Sequence, residues 1–145
     1  MTKRSTARLL IALSAASMLP SASAADLSGY RWKHRVLIVT TTLEQNGNVA
    51  ASLRQDRPGI IDRDLVVIDL SVHGKRLPHA IRPPAEDLES LRTRYGLGGE
   101  PRNAFLLIGK DGGIKARQSG ELHLDRLFAL IDTMPMRKEE MRSRK

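Results

Sequence analysis

The chain has 145 residues, enough for one domain and short for two. Its formal charge is +8 and it contains no cysteine, so no disulfide and no thiol chemistry can originate in it. Nucleic-acid binding by base stacking is disfavoured as well, because Tyr30, Trp32, Tyr95, Phe105 and Phe128 are all the aromatic residues it has.

The first 24 residues read as a secretory signal. Lys3, Arg4 and Arg8 make a positive start, Leu9 to Leu19 is apolar, Pro20 breaks the run, and Ala22-Ser23-Ala24 supplies small residues before a cleavage point at Ala25. A membrane anchor needs roughly 20 apolar residues, more than this segment offers. Cleavage removes three positive charges and no acid, lowering the formal charge from +8 to +5. The expected product is exported, periplasmic or secreted, without a transmembrane segment. Residues 25–34 then form a lead-in, 35–134 the folded domain, and 135–145 a basic tail.

"RVLIVTTT", Arg35 to Thr42, is β-branched and apolar and reads as a buried strand. Asn46 and Asn48 signal a turn, and either can cap the short helix "NVAASLRQDRPG", which Pro58-Gly59 ends. "DLVVIDLSV", Asp64 to Val72, lacks apolar–polar alternation, as expected of a central strand covered on both faces. A basic loop follows. "AEDLESLRTRYG" then carries acids in its first turn, arginines in its last and a glycine stop, which are agreeing helix signals. "AFLLIG" and "GIKAR" are two strands joined through Lys110-Asp111-Gly112. The final helix has Leu124, Leu127, Phe128 and Ile131 at helical spacing, and Pro135 is expected to close it.

The order β-α-β-α-β-β-α implies a parallel first pair of strands with a right-handed crossover and an antiparallel last pair. The expected fold is α/β and thioredoxin-like: a mixed four-stranded sheet with helices on both faces. The glycine-rich corner at Asp111-Gly112-Gly113 opens a strand, not a helix, so it reads as a turn that needs positive φ and not as a phosphate cradle.

"RVLIV", "DRDLVVIDL", "LRTRYG", "FLLIGKDGGIKAR" and "MPMR" together resemble a bacterial family labelled domain of unknown function 4174. The resemblance spans about Arg31 to Met141. Related domains of secreted animal proteins, with sushi repeats or a coiled-coil-domain name, are described as peroxiredoxin-like. The resemblance implies a thioredoxin-like fold and no particular activity. Thioredoxin-like enzymes hold their reactive cysteine just after the first strand, at the start of the first helix. The corresponding stretch here is "TTTLEQNGNV", where Thr40, Thr41 and Thr42 offer hydroxyls and no thiol. The superfamily also tends to place a cis-proline before its third strand, and Pro101 is the nearest residue to that position.

Two candidate regions follow. One is a pocket at the former active-site loop, comprising Thr40, Thr41, Thr42, Asn46 and Pro101; the competing reading is threonines that merely end a strand. The other is a partner surface of Lys75, Arg76 and Arg82 with Met134, Met136 and Arg137; the competing reading is Met134 packing on the core and a solvated tail. His34, His73, His79 and His123 lack metal spacing, so no metal and no cofactor is expected. Asp62, Asp64 and Asp69 around the second strand, with Arg63, read as a structural ion-pair group. The functional expectation is a non-catalytic binding or scaffold module of the cell envelope, with an envelope protein or an acidic surface as partner and no nucleic acid. The alternatives are an accessory of oxidative-stress defence and an enzyme with a non-thiol site near Thr40 to Asn48.

Overall fold

The computed structural model describes residues 26–144; the expected signal segment and its cleavage point lie outside the described residues. A 3-10 turn at Leu27–Tyr30 leads in. The elements that follow are β1 Arg35–Thr40, α1 Asn46–Gln55, α2 Arg57–Asp62, β2 Leu65–Asp69, β3 Ala80–Ile81, α3 Ala85–Arg94, β4 Ala104–Ile108, β5 Ile114–Ser119, α4 Leu124–Thr133 and α5 Pro135–Ser143. One sheet runs in the order β3-β2-β1-β4-β5. β1 and β2 are parallel neighbours, with Leu37 opposite Val67. β4 and β5 form the antiparallel hairpin. β4 also pairs antiparallel with β1, which puts β1 at the centre.

Pleating sends alternate side chains of the apolar runs to opposite faces. Leu37, Val39, Leu65, Val67, Phe105 and Leu107 meet Val49 and Leu53 of α1, Ile60 of α2, and Leu127 and Ile131 of α4. Val36, Ile38, Ile68, Leu106 and Ile108 meet Leu91 of α3, with Tyr30 and Tyr95 packed at the edge. Both faces are therefore covered, and β1 and β4 are buried along their whole length. The hairpin corner behaves as its sequence requires. Gly112 takes φ +84°, Gly109 N–H bonds the Gly113 carbonyl at 2.8 Å, and Asp111 Oδ1 accepts from Gly113 N–H at 3.0 Å.

Three expectations need correction. The sheet has a fifth strand, because Ala80–Ile81 adds briefly alongside Val67–Ile68 of β2. Pro58 does not end the helical stretch. The first helix stops at Asp56, and Pro58 sits in the opening turn of α2, where a missing N–H costs nothing. Pro135 closes α4 but also opens α5 in the same way, so the segment expected as a solvated tail is helical.

Charge docks α5 onto the domain. Arg137 is its only buried residue. The Arg137 guanidinium pairs with the Asp62 carboxylate, donates to the Asp62 carbonyl at 2.7 Å, and reaches Asp132 at 3.0 Å. Glu140 accepts from Arg35 at 3.1 and 3.2 Å and lies 2.8 Å from Lys110. Lys110 also donates to Asp64 at 2.9 Å, and Arg63 meets Asp132 at 2.5 Å. Arg35 is only 1% exposed. Burial pushes the carboxyls of Glu140, Asp132 and Asp64 upward. In each case hydrogen bonds and charge from the neighbouring cations outweigh it and hold the group below the ordinary carboxylate range. Arg63 thus joins the expected ion-pair group through Asp62 and Asp132, whereas Asp69 belongs to a separate cluster.

Candidate functional site

The three threonines lie at the carboxyl end of β1, whose last residue is Thr40, and α1 starts six residues after it. Thr40 and Thr41 are each 2% exposed. The Thr40 hydroxyl donates to the Arg102 carbonyl at 2.9 Å. The hydroxyls of Thr41 and Ser71 lie 3.1 Å apart, and Ser71 Oγ also accepts from Thr41 N–H at 3.0 Å. Thr42 N–H donates to Asn103 Oδ1 at 2.8 Å. Asn46 opens α1 with its side chain turned inward: Nδ2 donates to Thr41 Oγ1 at 3.2 Å and to the Lys75 carbonyl at 3.1 Å. The N-cap is Gln45, which makes no side-chain cap bond, so the expected asparagine cap does not form.

A second buried layer supports the first. Asp69, 1% exposed, accepts from Ser71 N–H at 3.0 Å and pairs with Arg82 at 3.3 Å. Arg82 also donates to the Ser71 carbonyl at 2.6 Å. Arg92, likewise buried, donates to the Leu70 carbonyl at 3.0 Å. Among the described residues no buried side-chain nitrogen or oxygen in this layer lacks a partner, which is the condition for burying polar groups without loss of stability.

The chemistry available is limited. A hydroxyl nucleophile needs a base within hydrogen-bond reach. Thr41 Oγ1 meets only another hydroxyl and an amide, and Thr40 meets only carbonyls. Asp69, the buried carboxylate, engages a backbone N–H and a guanidinium. Among the described residues no group of three or more histidines and acids could hold a metal ion.

The threonines and Asn46 therefore come together as a closed knot. Pro101 is exposed beside it, in the segment whose Arg102 and Asn103 complete the knot, and its peptide bond is trans. An open groove of about 410 Å³ runs alongside, lined by Gln45, Asn48, Ser52, Asn103 and Glu121 among others, and by none of the threonines. No pattern in the sequence marks Ser71 or Asn103 as partners of the threonines. The only signal for either was a polar residue at the end of an apolar run or ahead of one.

The partner-surface residues split into two distant groups. Lys75 and Arg76 are exposed beside the threonine knot, but Arg82 is engaged by Asp69 and Ser71. Met134, Met136 and Lys110 line a small slot of about 230 Å³ at the other end of the sheet, where Met136 is 41% exposed. Arg137 is 3% exposed and committed to Asp62 and Asp132.

Gly74 offers a direct test of the knot. It sits at φ +98°, and a Cβ there would lie 2.9 Å from Asn46 Cγ and Nδ2. Gly74→Ala therefore meets both backbone strain and a clash with the anchor of the loop. The expected loss is about 1–3 kcal/mol in urea unfolding. An unchanged midpoint would mean that Asn46 is not held as described.

The architecture defines a thioredoxin-like domain in which the end of the first strand carries buried, hydrogen-bonded threonine hydroxyls. The chain belongs to the family described as domain of unknown function (DUF4174), whose model matches residues 26–140. No curated protein matches the sequence. Among solved structures it is similar to the reduced 2-Cys peroxiredoxin of Plasmodium vivax, with a TM-score of 0.61, 16% identity, and coverage of 78% of this chain and 84% of that one. It is similar to thioredoxin peroxidase I of Plasmodium yoelii, with a TM-score of 0.60, 18% identity, and coverage of 78% and 79%. It is also similar to a thioredoxin-family thiol:disulfide interchange protein of Chlorobium tepidum, with a TM-score of 0.51, 7% identity, and coverage of 72% and 81%. At these identities the likeness is one of fold.

Proposed function

We propose that the protein is an exported, non-catalytic binding or scaffold module of the cell envelope. One observation carries the reading. Where the fold family exposes a thiol at a helix start, this chain buries hydroxyls that already have partners and no base. Such a loop stabilises the fold and attacks nothing. Export is supported by the charged, apolar and small-residue order of the first 24 residues. The exposed Lys75 and Arg76 give a modest attraction for an acidic envelope partner.

Purified chain beginning at Ala25 is expected to show no hydroperoxide reduction and no insulin-disulfide reduction above a blank, because neither reaction proceeds without a sulfur or comparable redox group. Turnover in either assay would overturn the non-catalytic reading. Expression of the full chain in a bacterial host should yield a periplasmic protein whose intact mass begins at Ala25. A cytoplasmic product retaining Lys3 and Arg4 would remove the export step.

A further inference from the structure

We infer that a second cleft, at the end of the sheet opposite the threonine knot, is a binding site for a neutral saccharide. Its volume is about 440 Å³, within the range of roughly 300–1,000 Å³ typical of small-ligand sites. Tyr30, His34 and Tyr95 contribute rings to it, and Asp26, Arg31 and Asp111 contribute polar groups. No described residue hydrogen-bonds either phenol hydroxyl. Gly112 and Gly113 form part of the wall and present backbone without side chains.

Trp32 stands beside this cleft. It is 60% exposed, and its backbone has φ +66°, a conformation that bulky residues avoid. It is held there by its N–H, which donates to the Lys110 carbonyl at 2.6 Å. The Arg31 guanidinium lies 5.1 Å from its ring centroid, and the Arg31 side chain packs against Gly112 in turn. Folding gains little from an exposed indole and pays for the backbone. Strain retained at a solvent-facing aromatic residue is a mark of recognition. The chain has five aromatic residues after position 25, and three of them gather here, so the grouping is not a product of composition.

Charge pairing narrows the ligand class. Asp26 lies 3.4 Å from Arg94, Asp111 lies 2.6 Å from Lys115, and Arg31 rests on Trp32. Both carboxylates already have a cation, so the cleft does not call for a cationic ligand, and Arg31, which has no carboxylate partner among the described residues, can donate to a ligand oxygen. Ring surfaces beside fixed hydroxyls, carboxylate oxygens and a guanidinium complement a pyranose, which has an apolar C–H face and a rim of hydroxyls. The inference extends the binding role proposed above without depending on it. Peroxidase turnover would overturn that role and leave this cleft standing.

Isothermal titration of the chain from Ala25 with chitotetraose and with maltotetraose tests it. At least one is expected to bind saturably, with a dissociation constant on the order of 1 mM or tighter. Affinity should be unchanged between low and high salt, because no charge is exchanged. Binding should also shift the emission of Trp32, the only tryptophan. Trp32→Asn is expected to keep the melting temperature, since asparagine tolerates the left-handed conformation, and to weaken binding tenfold or more. Tyr95→Phe, which removes a single hydroxyl, is expected to weaken binding severalfold with the fold intact. The inference is overturned by no saturable binding to either sugar, by undiminished binding in both variants, or by binding that disappears in high salt.

Discussion

Glu140→Ala is expected to cost about 3–5 kcal/mol and to lower the melting temperature by on the order of 10–20 °C. Glu140 is the common partner of Arg35 and Lys110, which are 1% and 9% exposed. Its removal strands the buried Arg35 guanidinium and leaves Lys110 with Asp64 alone, and a stranded buried charge costs far more than the pair ever contributed. Arg35 has few other acceptors: its remaining bond goes to the Arg63 carbonyl at 2.9 Å, and its Nε has none. Arg35→Met combined with Glu140→Leu should recover much of the loss, since it removes the charge together with its partner. Thermal unfolding followed by circular dichroism decides the matter; a shift below about 2 °C would mean that α5 contributes little to the fold. The same cluster sets the acid limit. Glu140, Asp132 and Asp64 titrate lower in the folded chain than in the unfolded one. Their stabilisation is therefore complete above the unfolded carboxylate range, about pH 4, and is lost as pH falls through the folded values. Urea midpoints measured from pH 6 down to pH 3 should fall below about pH 4, and less steeply in the Arg35→Met, Glu140→Leu chain.

Phe105→Ala should be comparably severe, at about 3–5 kcal/mol. Phe105 is fully buried in β4, opposite Val39 of the central strand and Gln118 of β5, on the face covered by α1, α2 and α4. Helices and strands surround the ring, so the site cannot collapse around the void. Phe105→Leu should recover most of the loss. A cost below about 1.5 kcal/mol for the alanine variant would show that this layer is looser than described.

These two residues differ in how far the sequence announced them. Phe105 lies in "AFLLIG", an apolar run between a loop and a glycine corner, and its burial follows from pattern alone. The parallel pairing of β1 and β2 was equally legible, because a helix lies between the two strands in the chain. α5 was not. Its residues lack an apolar stripe, and its contacts are with charges at positions 35, 62 and 110 that no local periodicity can register. Pro135 was ambiguous in principle, since the same residue ends one helix and begins the next. β3 escaped notice because two residues carry no pattern; neighbouring β2 alone defines it. At the loop, the threonines were found from their place after the first strand. Their partners Ser71 and Asn103 come from other strand ends and meet them only in three dimensions.

The central place of β1 has a consequence for how the chain is made. Its neighbour on one side is encoded early and its neighbour on the other late, so Val36 cannot find Ile108 until most of the polypeptide has been synthesised. Until then "RVLIV" presents a bare, strongly apolar edge, the kind of template that invites intermolecular association. A holding chaperone, or threading through a membrane pore in an extended state, would shield that edge for the interval in which the nascent chain cannot shield itself.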